Sequence, residues 1–149
     1  MKIMMRIAAS ALLTSVLLFF AHCGGSTSDP APAETDTQKN TKLIVASAWN
    51  VQSVLVDAVD KSTVYKDLKL TFTAGGFTAT NGGTVWPASG SWSFTDDSGK
   101  VISRSDGVTI NLTEISATKM VLSLAWTKTT LSGGRAQSVS GQHVFTFGK

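Results

Sequence analysis

The sequence predicts an all-β fold: an up-and-down antiparallel barrel of about eight strands, with little helix. Apolar and polar residues alternate over Leu68–Thr73, which is the period-two pattern of a strand with one buried face. Glycine-containing breaks follow at short and even spacing, at Gly75–Gly76, Asn81–Gly83 and Asp96–Gly99. Strands separated by such turns are typical of an antiparallel meander. Only 15% of the residues are charged, and the rest are rich in β-branched and small polar types, which favours a β-rich globular domain.

The chain begins with the pattern of a targeting segment. Met1–Arg6 carries two positive charges, and Ile7–Phe20 is an almost unbroken apolar run that is short for a membrane span. The sequence Phe20-Ala-His-Cys23 follows and resembles the lipobox of bacterial lipoproteins. The resemblance implies that residues 1–22 are a signal peptide and that Cys23, acylated with chains such as palmitate, anchors the protein to the outer membrane. Because His22 stands where a small residue is usual, an ordinary secretory leader is the alternative.

Residues 23–41 are predicted to be the lipidated cysteine and a flexible tether. Gly24–Lys39 contains two prolines and no aliphatic residue larger than alanine, so it has little apolar surface to bury. Its composition does not decide which face of the membrane the domain occupies. Without Lys2 and Arg6 of the leader, 11 basic residues remain against 10 acidic ones, a net charge of +1. The lysines are scattered singly, and this excludes a nucleic-acid-binding surface of the usual kind.

Residues 42–149 are predicted to form the barrel domain, opening with a short helical turn. The predicted strands are Trp49–Val56, Leu68–Thr73, Phe77–Thr80, Gly90–Phe94, Val101–Ser103, Val108–Thr113, Met120–Thr127 and, after a turn at Ser132–Gly134, a long polar strand ending near Phe147. Eight antiparallel strands in sequence order leave no open edge only if they close into a barrel.

Three short motifs carry a resemblance to a known family. Trp49 precedes the long first strand, Leu70–Gly76 reads LTFTAGG, and Ser89–Phe94 reads SGSWSF. In these motifs residues 42–149 resemble the lipocalin-like domains of Gram-negative envelope lipoproteins. The resemblance implies a small up-and-down barrel whose interior is able to hold a small apolar ligand. The protein is expected to be a monomer.

The sequence offers few groups for catalysis. His143 is the only histidine after the leader, no cysteine follows Cys23, and no Gly-x-Ser-x-Gly motif is present. A histidine within a strand is predicted to lie at the barrel wall or mouth. The aspartates of Asp57–Asp60 and Asp96–Asp97 lack a full calcium-binding loop and are predicted to form turns. The sequence therefore predicts no enzyme, no cofactor and no metal site.

The aromatic residues on the apolar phases of the strands allow two interpretations. They either fill the barrel core or form the wall of a cavity for a small apolar ligand. The cavity hypothesis rests on Trp49, Phe72, Trp92, Leu124, Trp126 and Phe145. Trp86 lies in a glycine-rich loop and is predicted either to cover one barrel end or to contact a partner.

Two functions follow from these interpretations. In the first, the protein is an outer-membrane lipoprotein that binds a small hydrophobic ligand inside its barrel. In the second, the barrel is filled and the protein contacts a partner protein or glycan through Trp86 and the loops Ala74–Gly76 and Asn81–Gly83. An enzyme is the third and least favoured reading, because it would require His143 to lie beside a carboxylate in a cleft.

Overall fold

A computed structural model of the chain describes residues 32–149; the predicted signal peptide, Cys23 and the first part of the predicted tether lie outside the described residues. The described elements are α1 (Asp36–Val45), β1 (Trp49–Val56), β2 (Val59–Asp60), β3 (Lys69–Thr73), β4 (Gly76–Thr80), β5 (Ser89–Phe94), β6 (Val101–Arg104), β7 (Thr109–Ile115), β8 (Lys119–Trp126), β9 (Thr130–Ser132), β10 (Arg135–Ser138) and β11 (Gly141–Gly148). The helix among them is too short and too polar to cross a membrane.

Eight of these strands close into an antiparallel barrel, which confirms the predicted fold class. From β3 to β8, each strand pairs with the next one along the chain, and β11 then pairs with β8. Closure comes from a second pairing of β11 with β1, in which Val56 lies opposite His143 and Asn50 opposite Gly148. The pairing of β1 with β3 is much shorter, with only Trp49 and Asn50 in register with β3.

The alternating strand directions give the barrel two ends with different coverings. The helix end carries α1, the β3–β4 turn, the β5–β6 loop and the C-terminus. The loop end carries the segment 61–68, the β4–β5 loop and the β9–β10 hairpin, because β1, β4 and β8 all finish there. The two loops proposed from sequence as one contact surface therefore lie at opposite ends, Ala74–Gly76 at the helix end and Asn81–Gly83 at the loop end.

Helix α1 corrects the predicted boundary between tether and domain. Residues 36–41, predicted to be flexible, form the first part of this helix. Thr35 caps it: the Thr35 hydroxyl accepts a hydrogen bond from the Gln38 amide, and the Gln38 side chain accepts one from the Thr35 amide. Asn40 Nδ2 donates to the Gly99 carbonyl at 3.0 Å. The ordered domain therefore starts about seven residues earlier than expected.

The final predicted strand is also corrected. Instead of one long polar strand after the turn at Gly133, the chain forms a separate two-stranded hairpin, β9–β10, before β11 begins at Gly141. Gly141 has a φ of +138° and a Cβ there would lie 2.5 Å from an Asp57 carboxylate oxygen, so the chain changes course at a position that only glycine fits well.

The barrel interior is a single cluster of apolar side chains. Its members alternate along the strands, as expected for a barrel whose inner face is buried. The largest side chains with less than 2% exposure are Trp49, Trp86, Tyr65, Phe145, Phe147, Ile44, Leu68, Leu70, Ile102, Ile110, Met120 and Leu122. At the helix end, Trp49 Nε1 donates to the Ile44 carbonyl at 2.8 Å and so joins β1 to α1.

Candidate functional site

Five of the six residues predicted from sequence as a ligand wall lie inside the barrel. Trp49, Phe72, Trp92, Leu124 and Phe145 are buried, whereas Trp126 is only half-buried at the edge of the cluster. Aromatic members of this set pack on one another: Phe72 and Trp92 lie edge to face with centroids 5.7 Å apart.

Trp86 was predicted either to cover one barrel end or to contact a partner, and the second of these predictions is wrong. Its side chain is 1% exposed, so the ring offers no surface to a partner. It reaches into the interior from the β4–β5 loop and packs edge to face on Phe77 and on Phe145, with centroids 5.9 and 5.8 Å away. Phe77 belongs to β4 and Phe145 to β11, on separate walls. Trp86 therefore fills space between the walls that a ligand cavity would need.

Arg104 holds this loop in place, and sequence reasoning did not identify it. Arg104 is buried on β6, and its Nη1 donates to the Val85 carbonyl at 2.7 Å. Its guanidinium carbon lies 5.0 Å from the Trp86 ring centroid, a cation–π contact. Its Nε donates to Asp106 Oδ1 at 3.1 Å, and Nη2 contacts Asp106 Oδ2. Each of the three guanidinium nitrogens of Arg104 therefore has a hydrogen-bond partner within the protein.

Burial and charge shift the pKa of Asp106, the carboxylate paired with Arg104, in opposite directions. Partial burial raises the pKa of Asp106, but hydrogen bonds from Arg104, its positive charge and the Val108 amide together outweigh burial. The pKa of Asp106 therefore lies below its ordinary value. Asp106 stays ionised at neutral pH, and the pair with Arg104 persists.

His143 and Tyr65 form a second buried polar pair. His143 faces inward from β11, with no exposed surface, as a histidine of the barrel wall. Tyr65 enters from the segment 61–68, and its hydroxyl lies 2.6 Å from His143 Nε2. His143 Nδ1 lies 3.1 Å from the Gly141 carbonyl, which only accepts hydrogen bonds. Nδ1 therefore carries the proton, and Nε2 accepts from the Tyr65 hydroxyl.

Burial sets the protonation of both groups. Burial lowers the pKa of His143, although the Gly141 hydrogen bond and the Asp57 charge act in the opposite direction. Burial likewise raises the pKa of Tyr65, against a hydrogen bond from the Val139 amide. Both side chains are accordingly neutral at pH 7, and neither ring nitrogen of His143 remains available to a substrate.

The aspartates considered for calcium form turns instead. Asp60 Oδ1 accepts from the Ser62 amide at 2.8 Å, and Asp96 Oδ1 accepts from the Ser98 amide at 2.9 Å. Within residues 32–149, no three histidine, cysteine or acidic side chains come together as a metal site would require.

A cleft formed by three segments lies at the loop end of the barrel. It has a volume of about 640 Å³ and is lined by Thr63, Val64, Lys66, Asp67, Asn81, Gly83, Arg135, Ala136 and Gln137. Two smaller clefts have volumes of about 320 and 300 Å³. Of the residues predicted as a ligand wall, only Trp92 lines any of the three, next to serines on β5 and β6. The loop Asn81–Gly83, predicted from sequence to contact a partner, supplies one wall of the cleft. The other lining residues were not found from sequence, because three distant segments form the cleft.

Comparisons with known proteins do not identify a function for this chain. No protein-family model matches the chain, and a search of curated proteins found no significant match. Three features remain as evidence: the filled interior, the two buried polar pairs and the cleft at the loop end.

Proposed function

We propose that this protein is a lipid-anchored lipoprotein of the bacterial outer membrane and that its lipocalin-like barrel is a non-enzymatic interaction domain. The observation that carries the proposal is the filled interior. Tyr65 and Trp86 enter the barrel from two connections at the loop end and pack on the same inner residue, Phe145. In this function, a partner is recognised by the outer surface of the barrel and its loops.

The anchor is supported by the position of the cysteine. Cys23 is the only cysteine of the chain and directly follows the apolar segment of the leader. Residues 24–35 separate it from helix α1, a length of chain that reaches at most about 40 Å when extended. Two or three acyl chains, each methylene contributing about 0.8 kcal/mol, would hold such a protein on the membrane permanently.

The absence of an enzymatic role is supported by the state of His143. A general base needs a ring nitrogen within hydrogen-bond reach of the substrate proton. Both nitrogens of His143 are engaged, one with Tyr65 and one with Gly141, and the ring is inaccessible. His143 therefore contributes to the packing of the core rather than to catalysis.

A carrier of a small apolar ligand is the second candidate. One observation favours it: the indole nitrogen of Trp86 is buried without a hydrogen-bond partner among the described residues. An unsatisfied buried donor costs about 1–3 kcal/mol, which lowers the cost of moving the ring outward. In this function the Trp86 loop opens and a ligand takes the place of the ring between Phe77 and Phe145.

The first experiment tests the anchor. The full chain is expressed with its leader in a Gram-negative host supplied with an alkyne-labelled palmitate, beside Cys23→Ser. We expect label and membrane association for the wild type and their loss in Cys23→Ser. The matched control restores a cysteine three positions later, as Cys23→Ser with Ser26→Cys, and should stay unlabelled. Equal labelling of the wild type and Cys23→Ser would refute the anchor.

Native mass spectrometry of the same extracted protein separates the two functions. A filled barrel predicts the mass of the acylated chain alone. A reproducible additional mass that is released on denaturation would instead favour the carrier, and its extraction would identify the ligand class.

A further inference from the structure

The cleft at the loop end is a preformed feature of the domain. Asn81 Nδ2 donates to the Asp67 carbonyl at 3.2 Å and so joins the β4–β5 loop to the segment 61–68. The Thr84 hydroxyl bonds to that of Ser138 at 2.9 Å and joins the same loop to β10. These hydrogen bonds hold the three walls of the cleft in place without a ligand.

The backbone of the cleft is held in an uncommon conformation. Asp67, Asn81 and Gly83 have φ values of 63°, 57° and 59°, and all three line the cleft. A Cβ at Gly83 would lie 2.2 Å from the Gln137 carbonyl oxygen, so the loop and β10 approach as closely as glycine allows. Left-handed residues other than glycine are uncommon, and aspartate and asparagine adopt this conformation more readily than most.

The charges of the cleft are unbalanced. Lys66 and Arg135 are both exposed at its lining, and neither makes an ion pair or side-chain hydrogen bond with another described residue. Among the described basic residues, Lys42, Arg104 and Lys119 are each paired with a carboxylate. Asp67 is the only acidic residue of the lining. The amides of Asn81 and Gln137 add further donors, and this set of groups suits a carboxylate.

An apolar side chain stands beside these cations. Leu131 is 71% exposed, more than any other large hydrophobic residue described. It lies opposite Ala136 in the β9–β10 hairpin, so the two side chains share a face, and Ala136 lines the cleft. The lining contains no aromatic side chain on which a sugar ring could stack. Cations next to an exposed leucine fit an acidic peptide with an apolar residue better than an acidic glycan.

The position of the cleft agrees with recognition of a partner. The chain enters the domain at the helix end, where the Thr37 hydroxyl donates to the Asp96 carbonyl of the β5–β6 loop. The cleft lies at the other end of the barrel. In a protein anchored through its N-terminal segment, this end is open to a partner.

We infer, on the basis of the proposed interaction function, that the loop-end cleft binds an acidic peptide segment of a partner protein. Lys66 and Arg135 contact the carboxylates, and Leu131 contacts an apolar side chain of the peptide. The cleft volume of about 640 Å³ lies in the range of small-ligand sites and suffices for a few residues.

The test is a titration of the isotope-labelled full chain with a defined peptide, Ac-Glu-Leu-Glu-Glu-Leu-NH2, followed by NMR. We expect amide shifts confined to residues 61–67, 81–84 and 130–138. Lys66→Gln with Arg135→Gln should weaken binding at least tenfold, and Leu131→Ser at least threefold. The control, Lys39→Gln with Lys100→Gln, removes two positive charges at the helix end and should change binding less than twofold. Unchanged spectra elsewhere show that each variant is folded.

Three outcomes would overturn the inference: equal binding of the peptide Ac-Gln-Leu-Gln-Gln-Leu-NH2, shifts located elsewhere, or binding of an oligogalacturonate without binding of the acidic peptide. The mass-spectrometric experiment tests the proposed function separately. A clean apo mass without peptide binding would refute the cleft assignment alone. A ligand released from the interior would refute the filled-barrel function, whatever the cleft binds.

Discussion

The Tyr65 hydroxyl lies 2.6 Å from Nε2 of His143 inside the barrel, and both side chains are fully buried. Tyr65 donates to the neutral imidazole and accepts from the Val139 amide, at 3.4 Å. Protonation of Nε2 would turn an acceptor into a donor and leave the Tyr65 hydroxyl without an acceptor. The folded protein therefore takes up this proton less readily than the unfolded chain.

The stability of the protein should fall as the pH decreases below the ordinary histidine pKa of 6.5. Because burial lowers the pKa of His143, its contribution is complete above pH 6.5, where neither state is protonated. Below that pH the unfolded chain gains a proton first, so the free energy of unfolding decreases by at most about 1.4 kcal/mol per pH unit. Urea denaturation between pH 8 and pH 5 measures this slope.

His143→Gln is the control for this slope. It removes the titrating group, so we expect a flat profile between pH 8 and pH 5. Asp60, Asp96 and Asp106, whose pKa values lie below the ordinary 3.8, lose their contributions only at more acidic pH. A slope that persists in His143→Gln would show that another group is responsible.

Removal of the Trp86 ring should leave an empty space inside the barrel. Trp86→Ala is expected to lower the free energy of unfolding by about 3–5 kcal/mol, because the contacts with Phe77 and Phe145 are lost. Trp86→Phe keeps part of the ring volume and should lose less. The cavity should bind xenon or benzene, detected by NMR, whereas the wild type should not. Binding by the wild type would contradict a filled interior.

The sequence was sufficient for the barrel because its signals are local. The predicted strand Trp49–Val56 matches β1, and the glycine turns separated β3, β4 and β5 as found. A signal for α1 was also present, since Thr35 and Gln38 have the spacing of a capping box. The proline-rich composition around it favoured a tether instead. Contacts of this helix with the barrel, such as that of Asn40 with Gly99, stabilise the helix despite this composition.

The interior and the cleft depend on contacts between distant segments. Trp86 lies in a loop without alternation, and its burial depends on Arg104, which is 18 positions away. One signal was available in the sequence. Arg104 and Ile102 lie on the same inward-facing side of β6, and a buried arginine needs a partner. The cleft brings together residues near 65, 82 and 136, which no local pattern connects.

Arg104 should contribute more to stability than its partner carboxylate. Arg104→Met removes the donor to the buried Val85 carbonyl and the ion pair with Asp106, and we expect a loss of about 3 kcal/mol in the free energy of unfolding. Asp106→Asn keeps the contacts of Arg104 with Val85 and Trp86 and should cost about 1 kcal/mol. Asp106 is 40% exposed, so water replaces part of its interaction. Chemical denaturation of both variants measures the difference.

Hydrogen exchange locates the effect of Arg104→Met. The Trp86 amide donates to the Gly82 carbonyl at 3.0 Å, so its protection reports on the loop. We expect faster exchange at Trp86 in Arg104→Met, with little change in the β8–β11 ladder. Uniform acceleration across the barrel would mean that Arg104 stabilises the whole domain rather than this loop.

The turn that directs Trp86 inward requires glycine at position 82. A Cβ on Gly82 would lie 2.3 Å from the Trp86 carbonyl oxygen and 2.4 Å from Trp86 Cβ, atoms that cannot move without shifting the loop. Gly82→Ala should therefore cost about 3 kcal/mol in the free energy of unfolding and speed exchange at Trp86. Gly107→Ala is the control, because its φ is +84° but nothing lies within 4 Å of its Cβ. That change should cost about 1 kcal/mol through backbone strain alone. Equal losses in the two variants would show that the close contact between Gly82 and Trp86 does not determine the position of the loop.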